Sequence, residues 1–154
     1  MEKIIFDNGV KEYQINDNGV LRFNPSDPNV YARFFDAAEK IQQIEKDLTE
    51  KGKALVKAEG NEEENGEAAI RLMQEADKEV KDLLNQVFGE ENDFDKLLGG
   101  VNLLAVAVNG ERVITNLLQA LMPIIEDGAK RCADQRVGTA VASAKKNRAA
   151  RRAE

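Results

Sequence analysis

Histidine and tryptophan are both missing from this 154-residue chain, and cysteine occurs once, at Cys132. Without histidine there is no usual proton shuttle, no Ser-His or Cys-His nucleophile pair, and no imidazole ligand for a transition metal. One thiol forms no disulfide within the chain and no cysteine-rich zinc site. Cys132 has Lys130 and Arg131 beside it to favour a thiolate, but no resolving cysteine, so a catalytic role is not expected. The longest apolar run, 103–108, falls far short of the roughly 20 residues that span a bilayer. Nor is there a long apolar stretch near the start to act as a secretory signal, so a cytoplasmic location is expected.

What remains is acidic and carboxylate-rich. The net charge is −6, which disfavours a body wrapped around phosphates, so nucleic acid is not an expected partner. Hydrophobic residues make up 42% of the chain and aromatics 5%, enough for one core built mainly of Leu, Ile, Val and Ala. Paired carboxylates abound: Glu45 with Asp47, Glu62 to Glu64, Glu90 with Glu91, Asp93 with Asp95. All sit in polar surroundings that would not shift a pKa toward acid-base work, and they read as surface charges. No phosphate-cradling glycine loop occurs, since Gly99-Gly100 lacks both the spacing and the Lys-Ser/Thr of a P-loop. No enzyme, cofactor or metal is expected.

The chain divides into parts. Residues 3–23 contain Asn8-Gly9 and Asn18-Gly19, two turn signals ten residues apart. They separate Ile4 with Phe6, Tyr13 with Ile15, and Leu21 with Phe23, apolar pairs two residues apart. This pattern predicts a three-stranded antiparallel meander with one buried face, which needs a helix to cover it; the competing reading is a flexible N-terminal arm. In Asn24-Pro25-Ser26-Asp27-Pro28, Asp27 suits an N-cap and Pro28 the first helical position. Val30, Phe34, Ala37, Ile41, Ile44 and Leu48 then follow the spacing of a helix packed side by side with another. Residues 59–67 hold five glutamates and two glycines, and read as a solvated loop with the helix restarting at Glu67. Ala69, Met73, Ala76, Val80, Leu83 and Val87 repeat the same spacing, so residues 28–88 are expected to form a helical hairpin.

Residues 93–127 read as further helices. A short one runs from Asp93 to Leu98 and stops at Gly99-Gly100. A buried one carries Val113, Ile114, Leu117, Leu118, Leu121 and Ile125, interrupted by Pro123, with Gly128 as its stop. This last is expected to be the most buried helix. Residues 101–108 fit a strand or a buried helix equally. The expected class is therefore α+β, predominantly α, in one domain over 1–132. Beyond it, residues 133–154 form an alanine-rich tail with six basic and two acidic residues, a charge of +4 on a body of −10.

Candidate contact residues are Phe34 and Phe35, adjacent aromatics that cannot both enter one helical seam, and Arg148, Arg151 and Arg152 of the tail. The competing reading places both phenylalanines in the core. Heptad spacing also permits a homo-oligomer.

The order of these features resembles small proteins of siphophages and prophages of Gram-positive bacteria, many of them similar to tail assembly chaperones. The likeness covers roughly residues 3–125. It rests on the run Leu21-Arg22-Phe23-Asn24-Pro25-Ser26-Asp27-Pro28-Asn29-Val30-Tyr31-Ala32-Arg33-Phe34, the hairpin, Val87-Phe88-Gly89, and Leu117-Leu118-Gln119-Ala120-Leu121-Met122-Pro123. It implies a non-enzymatic scaffold that coats the long helical tape-measure protein, helps recruit the tail-tube protein, and is left out of the finished virion. Such proteins often have a frameshifted longer form, and Lys145-Lys146 is compatible with one. The competing expectations are a phage-encoded inhibitor that binds a host protein through its acidic surface, and a structural subunit of the tail.

Overall fold

Asp27 begins the helical part of the molecule. In the computed structural model its Oδ1 accepts from the Asn29 N–H at 2.9 Å, and Pro28 is the first residue of helix α1, Pro28–Lys57. The structure describes the backbone of residues 1–57 and 62–153, and the side chains of these except 135–147 and 149–153. Helix α2, Glu62–Phe88, starts earlier than the composition suggests: Glu62, Glu63 and Glu64 form its first turn instead of a loop. Carboxylates there complement the positive end of the helix dipole, which explains how a glutamate run opens a helix. The remainder of the expected solvated loop, Glu59 to Asn61, lies outside the described residues.

The two helices form the hairpin, with Arg33 Nε of α1 donating to the Val87 carbonyl at the end of α2. Val30, Phe34, Ala37 and Ile41 bury against Ala76, Val80, Leu84 and Val87. Outward along the same seam burial fades. Ile44, Leu48, Leu55, Leu72 and Met73 are only half-buried, because the other elements cover the base of the hairpin alone.

The sheet is smaller than expected. Strands β1, Lys11–Ile15, and β2, Gly19–Phe23, pair antiparallel with Tyr13 opposite Leu21 and Ile15 opposite Gly19. Their loop is closed by Asn18 N–H donating to the Ile15 carbonyl and by Asn16 at a φ of 46°. No third strand precedes them; residues 1–10 form no ladder. At the anticipated first turn, Asp7 and Asn8 side chains accept the N–H groups of Gly9 and Val10, and Asn24 Nδ2 donates to the Asn8 carbonyl. That turn therefore ties the chain to the β2–α1 connection instead of closing a hairpin on β1.

On the inner face of the sheet Leu21 and Phe23 are buried, and Phe88 meets Phe23 edge to face at a centroid distance of 4.8 Å and Phe94 at a tilt at 5.4 Å. Phe94 belongs to α3, Phe94–Leu97, capped by Asp93 and followed by Gly99 and Gly100 at positive φ. Residues 101–108 are neither strand nor helix. They form a looped crossing with one bridge, Val106 to Arg112, that buries Leu103 and Leu104. Helix α4, Val113–Ala153, then runs without interruption past Pro123 and Gly128.

Gly128 is no stop. It is buried where α4 crosses the β2–α1 connection, and a Cβ there would overlap the Pro25 carbonyl. In α4 Ile114, Leu121, Ile125 and Gly128 are buried, and α2, which lies between α1 and the 94–104 segment, buries Ala76, Val80, Lys81, Leu84, Val87 and Phe88. The observed class is α+β, predominantly α, with a two-stranded antiparallel sheet and long helices.

Candidate functional site

Two polar hubs hold the base of the hairpin. Asp77 Oδ1 accepts the Leu103 N–H at 2.7 Å, and its Oδ2 accepts Lys81 Nζ at 2.8 Å. Lys81 Nζ also reaches Asp95 of α3 at 2.6 Å. Burial alone would pull the Lys81 pKa down, but hydrogen bonds and charge from Asp77 and Asp95 outweigh it and hold the ammonium above its ordinary value. The second hub is Asn92, buried in the α2–α3 connection. Its Oδ1 accepts the Arg22 N–H, while its Nδ2 donates to the carbonyls of Arg22 and Phe88. Every side-chain polar atom of Asp77, Lys81 and Asn92 is thus engaged by a structural partner.

The carboxylates read as surface charges have local duties or none. Asp93 caps α3, Asp95 meets Lys81, Asp47 accepts from Gln43, and Glu90 and Glu91 are exposed. Among the described residues no three of His, Cys, Asp and Glu are grouped to hold a metal ion, and no helix is long and apolar enough to cross a membrane. Cys132 is half-buried.

The candidate contact residues separate. Phe34 is 1% exposed inside the core, edge-on to Phe88, so it presents no surface. Phe35 is half-buried and lies against Tyr31 at 4.7 Å, on the rim of the same cluster. Arg148 is exposed on α4; the side chains of Arg151 and Arg152 lie outside the described residues. Among the described side chains, no contact joins Phe34 or Phe35 to Arg148.

What the structure provides instead is grooves. One, of about 410 Å³, lies along the hairpin with Ile44 of α1 and Leu83 of α2 as its apolar floor. Lys40, Gln43, Glu79, Asp82 and Gln86 form its walls. A second, of about 430 Å³, lies between β1 and α4, where Tyr13 and Ile15 face Leu117, Leu121 and Ile124. Ile44 and Leu83 are seam positions in the heptad pattern, but their half-burial follows from where the neighbouring layer ends, which spacing does not encode. The i, i+4 pair Asp77 and Lys81 beside an apolar seam was a signal for the first hub; a lone asparagine gave none for the second.

Comparison with protein-family models, with characterised proteins and with solved structures finds no match to this chain.

Proposed function

We propose that this chain is a non-enzymatic tail assembly chaperone of the siphophage kind, holding an apolar helical stripe of a tape-measure protein against its hairpin and helping to recruit tail-tube protein. The observation that carries this reading is the hairpin seam itself. It leaves Ile44 and Leu83 half-buried as the floor of a groove walled by Lys40, Glu79, Asp82 and two glutamines, and further out Leu48 and Met73 are half-buried as well. A pair of antiparallel helices whose apolar seam is half covered accepts a third helix by the same side-by-side packing, and the partner's i, i+3, i+4, i+7 side chains fill the groove. The acidic body supports the solubility such a complex needs.

Co-expression with a long siphophage tape-measure protein, which the reading requires to be encoded beside it, tests the proposal. The wild-type chain keeps that protein soluble and co-purifies with it, and the double variant Ile44→Glu with Leu83→Lys loses both effects while keeping its helical circular dichroism. Equal precipitation with and without the chain overturns the proposal. Abundant copies in purified virions would favour a structural subunit of the tail instead.

A further inference from the structure

The two-stranded sheet is protected on one edge only. Asn92 occupies both backbone groups of Arg22, so these point away from β1 and Glu12 opposite Arg22 is a non-hydrogen-bonded pair. By the alternation of an antiparallel ladder, the N–H and C=O groups of Glu12 and Gln14 therefore face outward from β1, and no described residue bonds to them. Beside this bare edge lies the groove formed with α4. The same chain carries an extended apolar segment with nothing to cover it: Ile4, Ile5 and Phe6 are 88%, 80% and 74% exposed.

We propose that residues 2–6 of one copy add as a parallel strand to β1 of a second copy, laying Ile4 and Phe6 into the groove between β1 and α4. Sequence complementarity sets the register. With each arm residue beside the β1 residue nine positions later, Glu2 meets Lys11, Lys3 meets Glu12, Ile4 meets Tyr13, Ile5 meets Gln14 and Phe6 meets Ile15. Both charged pairs are then of opposite sign, and Ile4 and Phe6 share the face of Tyr13 and Ile15 that looks into the groove. Five arm residues match the five of β1.

The occupant must come from another molecule. A parallel neighbour within one chain needs a crossover of about a dozen residues, and only residues 7–10 separate the arm from β1. The antiparallel fold-back that the Asn8-Gly9 turn would allow is poorer, since it sets Glu2 against Ile15 and Phe6 against Lys11. Asn24 holds that turn open in any case. Exchange of an identical arm between copies is a low-cost route to assembly. The site lies apart from the hairpin groove, so this inference does not depend on the chaperone reading.

Light scattering coupled to size exclusion, run on the full chain from micromolar to sub-millimolar concentration, reads the assembly directly. The wild-type chain is expected to associate as concentration rises. Ile4→Asp with Phe6→Asp should raise the dissociation constant by roughly a hundredfold or more. Glu2→Lys should weaken it about threefold, as should Lys11→Glu, and the two substitutions in one chain should restore it; Glu12 is left unchanged because its carboxylate also meets Arg22 Nε at 3.3 Å. If a variant loses its helical circular dichroism, hydrogen exchange of the wild-type chain decides, with amide protection at Glu12 and Gln14 rising with concentration. A wild-type chain that stays monomeric throughout overturns the proposal and leaves the edge to a strand from a different protein. Association that survives loss of Ile4 and Phe6, or that the paired reversal of Glu2 and Lys11 fails to restore, overturns it as well.

Discussion

The Asn92 side chain binds both backbone groups of Arg22, accepting its N–H at 2.9 Å and donating to its carbonyl at 2.8 Å. A side-chain amide thereby stands in for a third strand on the outer edge of β2. The same Nδ2 donates to the Phe88 carbonyl at 2.8 Å, which joins the sheet to the end of α2. Asn92→Ala strips partners from three backbone groups and is expected to cost about 2–3 kcal/mol. Asn92→Asp should be at least as damaging, because it turns a donor facing two carbonyls into an acceptor. Urea denaturation measures the loss, and hydrogen exchange should show the Arg22 amide deprotected while the α1 amides keep their protection.

Phe34 and Phe35 are neighbours in sequence with different expected costs. Phe34→Ala empties a fully buried site beside Phe88 and should destabilise the fold by about 3–4 kcal/mol. Phe35→Ala removes a half-buried ring from Tyr31 and should cost about 1 kcal/mol. Thermal melts of the two variants separate the cases, and equal losses would contradict the burial pattern.

Asp77 and Lys81 connect α2 to α3 and to the crossing at Leu103. Asp77→Ala leaves Lys81 buried with only the largely exposed Asp95 as partner, and leaves the Leu103 N–H unpaired. The expected cost is about 3 kcal/mol. The pH dependence follows from the raised Lys81 pKa. The folded state holds this proton more tightly than the unfolded chain, so its stabilising contribution is complete below the ordinary value of 10.5. It is lost as pH rises through the higher folded-state value. Denaturation midpoints of wild type and Lys81→Met should therefore differ most near neutral pH and converge in strong alkali.

The long helices were legible because a heptad seam needs only spacing, and the α1 start because Asp27 and Pro28 each suit one position. Three other features depended on contacts distant in sequence. Ile4 and Phe6 have the alternation of a strand, yet strand formation requires a partner edge, and Asn24 holds the intervening turn elsewhere. Residues 101–108 owe their looped path to bonds such as Ile114 N–H to the Leu103 carbonyl and Leu103 N–H to the Asp77 carboxylate. The hairpin groove was legible as a seam but not as a surface. Whether Ile44 and Leu83 are covered depends on how far the sheet and α4 reach along the hairpin.

Gly128 shows how one residue type carries opposite meanings in one fold. Read locally, a glycine after an apolar helical stripe is a helix stop, but α4 passes through it because the neighbouring chain comes so close. Gly128→Ala would force its methyl group into the Pro25 carbonyl and separate α4 from the β2–α1 connection, at an expected cost of about 2–3 kcal/mol. Gly52 and Gly66 lie within α1 and α2 with nothing near the position of an added Cβ. Replacing either with Ala should stabilise the chain by about 0.5–1 kcal/mol through helix propensity. Thermal melting of the three single variants should move the midpoint down for the first and up for the other two. A rise with Gly128→Ala would mean that α4 does not cross the connection at that residue.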